Sequence, residues 1–241
     1  MTTNETYLRD ETALLMVDPY NDFLSEGGKL WPMAAAIASE VGLLDNLRRI
    51  TAKVREAGIP VFTVPHHRAE PDDFTGWRHA TPYQLGTAQV QPFAKDTWGG
   101  EWHPDFVPRP GDVVVKEHWG SSGFANTDLD LRLKQAGARR LIFVGLLANT
   151  CIEGTARFAA ELGYHVTLVT DATAAASPDR MHAAHVLNGP TFAHRIVTTA
   201  DLISDLATGS KAGGTERAST ATPIGVAAGA ARRVAENASN A

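Results

Sequence analysis

The chain has 241 residues, 44% of them hydrophobic and 20% charged, with a formal charge of −5 and a pI near 6.0. This length suits one large α/β domain that buries its core without a disulfide or structural metal, and the lone cysteine permits no internal disulfide, which fits a reducing cytosol. The acidic balance argues against nucleic-acid and membrane partners, which are held through basic stripes; with no basic or apolar leader pattern and no run of about 18 apolar residues, the expectation is a soluble, cytoplasmic protein.

Residues 1–10 read as an N-terminal extension and 11–206 as the folded domain. In chain order the patterns predict a strand over 13–18, a helix over about 32–57, a strand over 59–64, a strand over 112–116, a helix over 127–137 and a strand over 140–147. A helix over 150–162, a strand over 165–170, a helix over 179–188, a strand over 195–198 and a short helix from 200 complete the domain. Repeated strand and helix alternation predicts a three-layer α/β/α fold on a mostly parallel, six-stranded Rossmann-like sheet. The first helix carries an apolar stripe, Ile37, Val41, Leu44, Leu47, Ile50 and Val54, and Gly58 with Pro60 stops it.

Residues 66–111 interrupt the pattern with many prolines and glycines and with Trp77, Trp98 and Trp102. Loops of this length are usually functional, so the segment is expected to form a pocket wall, a lid, a subunit contact or an aromatic satellite core. Residues 207–241 turn to Ala, Gly, Ser and Thr with almost no large apolar side chains and read as a disordered tail.

Three ionisable residues fall at predicted strand ends. Asp18 closes the run Ala13 to Val17, Lys116 closes Val113 to Val115, and Cys151 follows Leu141 to Leu147 at the start of a helix. Ligands of open α/β sheets bind at the carboxyl ends of the strands, and a helix N-terminus favours thiolate and offers donors to an oxyanion. Each residue also has a plain reading: a buried small hydrophobe for Cys151, a cap for Asp18, a surface ion pair for Lys116.

The segments Leu15-Met16-Val17-Asp18-Pro19-Tyr20-Asn21-Asp22-Phe23, Val115-Lys116-Glu117-His118-Trp119 with Ser121 to Leu129, and Gly145 to Ala156 together resemble the isochorismatase-like cysteine hydrolase superfamily over residues 11–206. Two positions depart from the common pattern, Gly123 in Ser122-Gly123-Phe124 and Ala148 before the cysteine. The resemblance implies a catalytic triad of Cys151 as nucleophile, Asp18 as general base and later acid, and Lys116 as the cation between them. It further implies a non-proline cis peptide at Leu147-Ala148 and an oxyanion held by the backbone N–H groups of Ala148 and Cys151.

Asn21, Trp31, His118, Trp119 and Phe124 are candidate substrate contacts, with His118 equally readable as a surface histidine. Nicotinamidases of the superfamily bind a metal through an Asp-x-His pair that corresponds here to Pro65-His66-His67. Proline offers no ligand, so the expectation is no metal and no cofactor.

The implied activity is cysteine-dependent hydrolysis of a C–N bond in a small carboxamide, ureido compound or lactam, in a homo-oligomer. Streptothricin hydrolase and the ureidoacrylate, carbamoylsarcosine and maleamate amidohydrolases share this plan. The competing readings are vinyl-ether hydrolysis of the isochorismatase type and a binding protein that keeps the fold without chemistry.

Overall fold

The computed structural model describes residues 7–212. Strands β1 (Thr12–Val17), β2 (Val61–Val64), β3 (Val113–Val114), β4 (Arg140–Leu146), β5 (His165–Ala174) and β6 (Arg195–Val197) form one parallel sheet in the order β3-β2-β1-β4-β5-β6. The helices are α1 (Asn21–Leu24), α2 (Trp31–Val41), α3 (Leu43–Glu56), α4 (Pro82–Val90), α5 (Leu129–Gln135), α6 (Glu153–Glu161), α7 (Pro178–His182) and α8 (Thr199–Ala212). This is the α/β architecture that the alternating pattern predicts.

Every residue of β1 is buried, as a central strand covered on both faces requires. Side chains alternate across the sheet with period two. Leu14 and Met16 pack into one cluster with Leu47, Ile50 and Val54 of α3 and Leu202 of α8. Ala13, Leu15 and Val17 pack into the other with Leu129 and Leu133 of α5 and Ala156 and Ala159 of α6.

The chain runs outward from β1 through β2 to β3, then returns to pair β4 on the other side of β1. Strand order therefore reverses between β1 and β4, and the crevice at their carboxyl ends is the switch point where such folds take their ligands. Close approach of the two strands depends on Gly145. It pairs with Val17, takes φ +113, and a Cβ there would collide with the Val17 carbonyl.

Several boundaries move. The single helix expected over 32–57 is two helices, broken at Gly42, whose φ of +68 only glycine adopts without strain. The strand expected over 112–116 pairs only at 113–114, because it is the sheet edge and rejoins its neighbour through a lone bridge between His66 and His118. The helix expected over 150–162 begins with a wider π-type turn, Ala148–Ile152, ahead of α6, and the one expected over 179–188 passes from α7 into another at Ala183–Asn188.

Within the long 66–111 segment lies α4, with a Thr81 and Gln84 capping box at its start. Tyr7, assigned to the N-terminal extension, is buried and its hydroxyl hydrogen-bonds Thr167 3.0 Å away. The last helix runs to Ala212, past the expected end at 206; the rest of the predicted tail, and residues 1–6, lie outside the described residues. Among the described residues no helix is long and apolar enough to cross a membrane.

Candidate active site

Asp18 follows β1 with φ +53, a left-handed conformation that a non-glycine residue adopts only where its surroundings impose it. Its N–H donates to the Val64 carbonyl at 3.0 Å, which ties the turn to the end of β2. The carboxylate is completely buried. Its Oδ1 accepts from His118 Nε2 at 3.1 Å, and its Oδ2, among the described residues, has no hydrogen-bond partner.

His118 is equally buried, and its Nδ1 lies 2.7 Å from the Gly120 carbonyl oxygen. A carbonyl oxygen and a carboxylate can only accept, so both ring nitrogens must donate and the imidazole must carry its second proton. Burial opposes that charge, but Asp18, through its charge and its hydrogen bond, and the Gly120 carbonyl outweigh it and raise the histidine above its ordinary value. His118 is thus the cation of the site.

Cys151 lies in the π-type turn that leads from β4 into α6, behind a cis peptide at Leu146-Leu147. Its sulfur, a carboxylate oxygen of Asp18 and a ring nitrogen of His118 all fall within 4.8 Å of one another. Burial, and then the negative charge of Asp18, push the thiol well above its ordinary value; the Thr150 hydroxyl and the Leu147 backbone only partly offset them. The sequence predicted a thiolate stabilised by a helix end and a lysine. The structure instead holds a thiol, pushed up by burial, beside the Asp18 carboxylate.

Above these groups is a cavity of about 300 Å³. Phe23, Leu30, Met33, Phe93 and Leu147 form its floor and sides. One face of α4, Tyr83, Gly86, Thr87 and Val90, covers it at the i, i+3, i+4, i+7 spacing of a helical stripe. Tyr83 stands at the mouth. Burial first, then the neighbouring Cys151 and Asp18, push its phenol up to about 12, so it remains a donor.

Asp22 fixes two walls at once: its Oδ1 accepts from the Lys29 N–H at 2.9 Å and its Oδ2 from the Phe93 N–H at 2.7 Å. Lys29 in turn closes the end of α4, its ammonium donating to the carbonyls of Val90 (3.3 Å) and Gln91 (2.6 Å).

Residues 12–201 match the Isochorismatase domain family. The chain belongs to that family. Among its relatives, ureidoacrylate amidohydrolase RutB of Rhizobium rhizogenes is 32% identical over 201 residues, covering 79% of this chain and 81% of that protein. The RutB of Pseudomonas savastanoi is 32% identical over 194 residues, with 76% and 78% covered. Among solved structures, N-carbamoylsarcosine amidase from Thermoplasma acidophilum superposes with a TM-score of 0.57 at 26% identity, over 78% of this chain and 96% of that one. A cysteine hydrolase from Pseudomonas syringae shares the fold, with a TM-score of 0.70 at 21% identity, over 87% of this chain and all of the other. The names of these relatives describe hydrolases of C–N bonds.

The structure brings Asp18 and Cys151 together but leaves Lys116 out. The Lys116 side chain is exposed, and its backbone N–H donates to Asp128 Oδ1 at 2.7 Å. The reason is the edge strand: pairing lapses after Val114 and resumes at the His66 and His118 bridge, so the residue turned toward Asp18 comes two positions later than the strand-end reading places it. The cis peptide likewise lies one bond upstream of the expected Leu147-Ala148.

Of the five candidate substrate contacts, His118 pairs with Asp18, and the other four face elsewhere. Asn21 is buried and spends its amide on the Trp98 carbonyl (2.9 Å), while its side-chain oxygen accepts from Ser25 (3.0 Å). Trp31 packs against the α3-side core. Trp119 stacks on His67 with ring centroids 3.6 Å apart, and Phe124 lies in the opposite core, stacked on Phe158 and Tyr164. Gly123 is a packing requirement, since a Cβ there would strike the Val64 side chain.

The second-strand histidines diverge. His66 lines the cavity, whereas His67 presents Nε2 to Asp73 at 2.9 Å and Nδ1 to Glu117 at 3.4 Å, leaving neither ring nitrogen for a metal. With Pro65 in the third place, these residues do not fit the nicotinamidase type of metal site. Among the described residues, the group with metal-ligand spacing is Asp18, His118 and Cys151 itself.

Proposed function

We propose that the protein hydrolyses the C–N bond of a small amide through a thioester on Cys151, with Asp18 as the proton carrier and His118 in the place that the sequence reading gave to a lysine. The observation that carries this reading is the buried convergence, at the sheet's switch point, of a carboxylate oxygen without a hydrogen-bond partner among the described residues, a doubly hydrogen-bonded imidazolium and the chain's only cysteine.

The proton balance follows from the charges. Cys151 Sγ attacks the amide carbonyl as Asp18 takes the thiol proton, which the free Oδ2 is placed to accept. His118 keeps its proton throughout and lays its positive charge against the Asp18 carboxylate. The tetrahedral oxyanion is assigned to the backbone N–H groups of Ala148 and Cys151, at the start of the turn into α6. Collapse breaks the C–N bond, and Asp18 returns the proton to the departing amine. Water then attacks the thioester with Asp18 again as base, and Asp18 delivers that proton to the leaving sulfur, which restores thiol and carboxylate and releases the acid.

The test is an ammonia-release assay over simple amides with intact-mass analysis of quenched turnover mixtures. Wild type should carry an acyl adduct at Cys151, and Cys151→Ala and Asp18→Asn should each lose about 10³-fold or more in kcat. Retention of turnover in Cys151→Ala would overturn the covalent reading.

A further inference from the structure

We infer that the site selects a neutral amide with an apolar acyl group and rejects ureido acids and other carboxylates; this rests on the amide-hydrolysis reading above. The argument begins with what can meet a substrate's far end. Phe23, Leu30, Met33, Val90, Phe93 and Leu147 supply the wall, and the polar lining consists of Asp18, His66, Tyr83, Thr87, Thr150 and Cys151. Among the described residues, no lysine or arginine lines the cavity.

Two long cations bonded to neighbouring elements, Lys29 and Arg68, are committed elsewhere. Lys29 closes the end of α4 through the Val90 and Gln91 carbonyls. The Arg68 guanidinium lies over the rings of Tyr20 and Trp102, 5.7 and 5.0 Å from their centroids, with Glu117 3.5 Å from its Nε.

The remaining ionisable groups reinforce the selection. His66 Nδ1 lies 2.9 Å from the His67 carbonyl and must donate to it, and burial lowers the ring below its ordinary value, so His66 is neutral and its Nε2 is an acceptor. Among the described residues the cation at the site is His118, which is already paired with Asp18. A substrate carboxylate would therefore lose its water, gain no counter-ion and sit in the same cavity as the Asp18 anion. An alkyl or aryl group would instead displace water from the apolar wall. A carboxamide N–H₂ can donate to His66 Nε2, and Tyr83 can donate to an acceptor at the mouth. The selecting surface is the inner face of α4, which carries none of the three reacting groups.

Ureidoacrylate, the substrate in the relatives' name, is a carboxylate. This chain keeps their fold and has a wall unsuited to that charge.

The experiment compares hexanamide and benzamide with glutaramate and 3-ureidopropionate on the full-length protein, reading both ammonia release and the Cys151 acyl adduct. The neutral amides should be favoured by about 100-fold or more in kcat/KM. Val90→Arg, which adds a cation from α4 without touching the reacting groups, should narrow that ratio at least tenfold. Equal or preferred turnover of either carboxylate by wild type would overturn the selectivity while leaving amide hydrolysis intact. Absence of both ammonia and adduct with all four compounds would overturn amide hydrolysis and the selectivity with it.

Discussion

Replacing His118 by glutamine removes the cation but retains a hydrogen-bond donor, so it separates charge from shape. Unit charges 3.1 Å apart at an effective dielectric of about 20 attract by about 5 kcal/mol. Desolvation of two fully buried groups consumes much of that in the wild type, yet deleting one partner strands the other, at a cost of about 3–5 kcal/mol. Asp18 can escape the penalty only by taking up a proton, and a protonated Asp18 is no longer a base. His118→Gln should therefore lose about 3 kcal/mol or more in urea unfolding at pH 7, and about 10²- to 10⁴-fold in kcat/KM.

The pH dependence has a definite sign. The folded pKa of His118 is raised, so its contribution is complete below about 6.5, the unfolded value, and fades as pH climbs through the folded one. His118→Lys should restore the cation and carry the alkaline limb of kcat/KM upward, toward the ordinary lysine value of about 10.4. Lys116→Ala, at an exposed position, should change stability by less than about 0.5 kcal/mol and leave turnover near wild type. An inactive Lys116→Ala beside a fully active His118→Gln would refute the assignment.

Two further outcomes follow from buried groups. The iodoacetamide labelling midpoint of Cys151 should lie above the free-cysteine value of about 8.5, and Asp18→Asn should lower it by removing the adjacent negative charge; a wild-type midpoint at or below neutrality would contradict a resting thiol. Asp22→Ala strands the N–H groups of Lys29 and Phe93 and should cost about 2–4 kcal/mol in chemical denaturation. Asp22→Asn, which keeps one acceptor, should cost less, and an Asp22→Ala protein as stable as wild type would show that the carboxylate does not hold the cavity walls.

The elements most legible in the sequence were those whose surroundings leave one choice. Strands β1 and β4 are buried on both faces, so they read as continuous apolar runs, and the residues at their ends, Asp18 and Cys151, could be assigned to the crevice before any geometry was known. Lys116 falls outside the crevice because β3 is an edge strand. Burial constrains only part of it, pairing lapses after Val114, and apolar patterning therefore cannot say which later residue turns inward. The tautomer argument that makes His118 a cation needed two distances, to Asp18 and to Gly120, that no spacing supplies.

Helix α4 had a local signal that went unread: a Thr81 and Gln84 capping box with Pro82 at the first helical position, followed by Tyr83, Gly86, Thr87 and Val90 on one face. That face packs on a cavity instead of a core, so it has no run of large aliphatic residues and does not look amphipathic.

The same contrast separates the proposed chemistry from the proposed selectivity. The groups proposed to react are fixed by the sheet: Asp18 by its left-handed turn and the Val64 carbonyl, Cys151 by the turn out of β4, and His118 by Asp18 and Gly120. The substrate wall is attached from outside, through the Lys29 contacts to the end of α4 and the Asp22 contacts to Lys29 and Phe93. A change on α4 therefore alters what fits without moving the proton path. On the proposed mechanism, a change at residue 18, 118 or 151 should alter the proton path whatever fits. Substitutions along Tyr83, Gly86, Thr87 and Val90 should accordingly shift kcat/KM ratios among amides while the pH limbs stay fixed, and substitutions at His118 should move the alkaline limb equally for every amide. Pooled pH-rate profiles over the two sets of variants test this division, and a pH limb that moved with the α4 substitutions would break it.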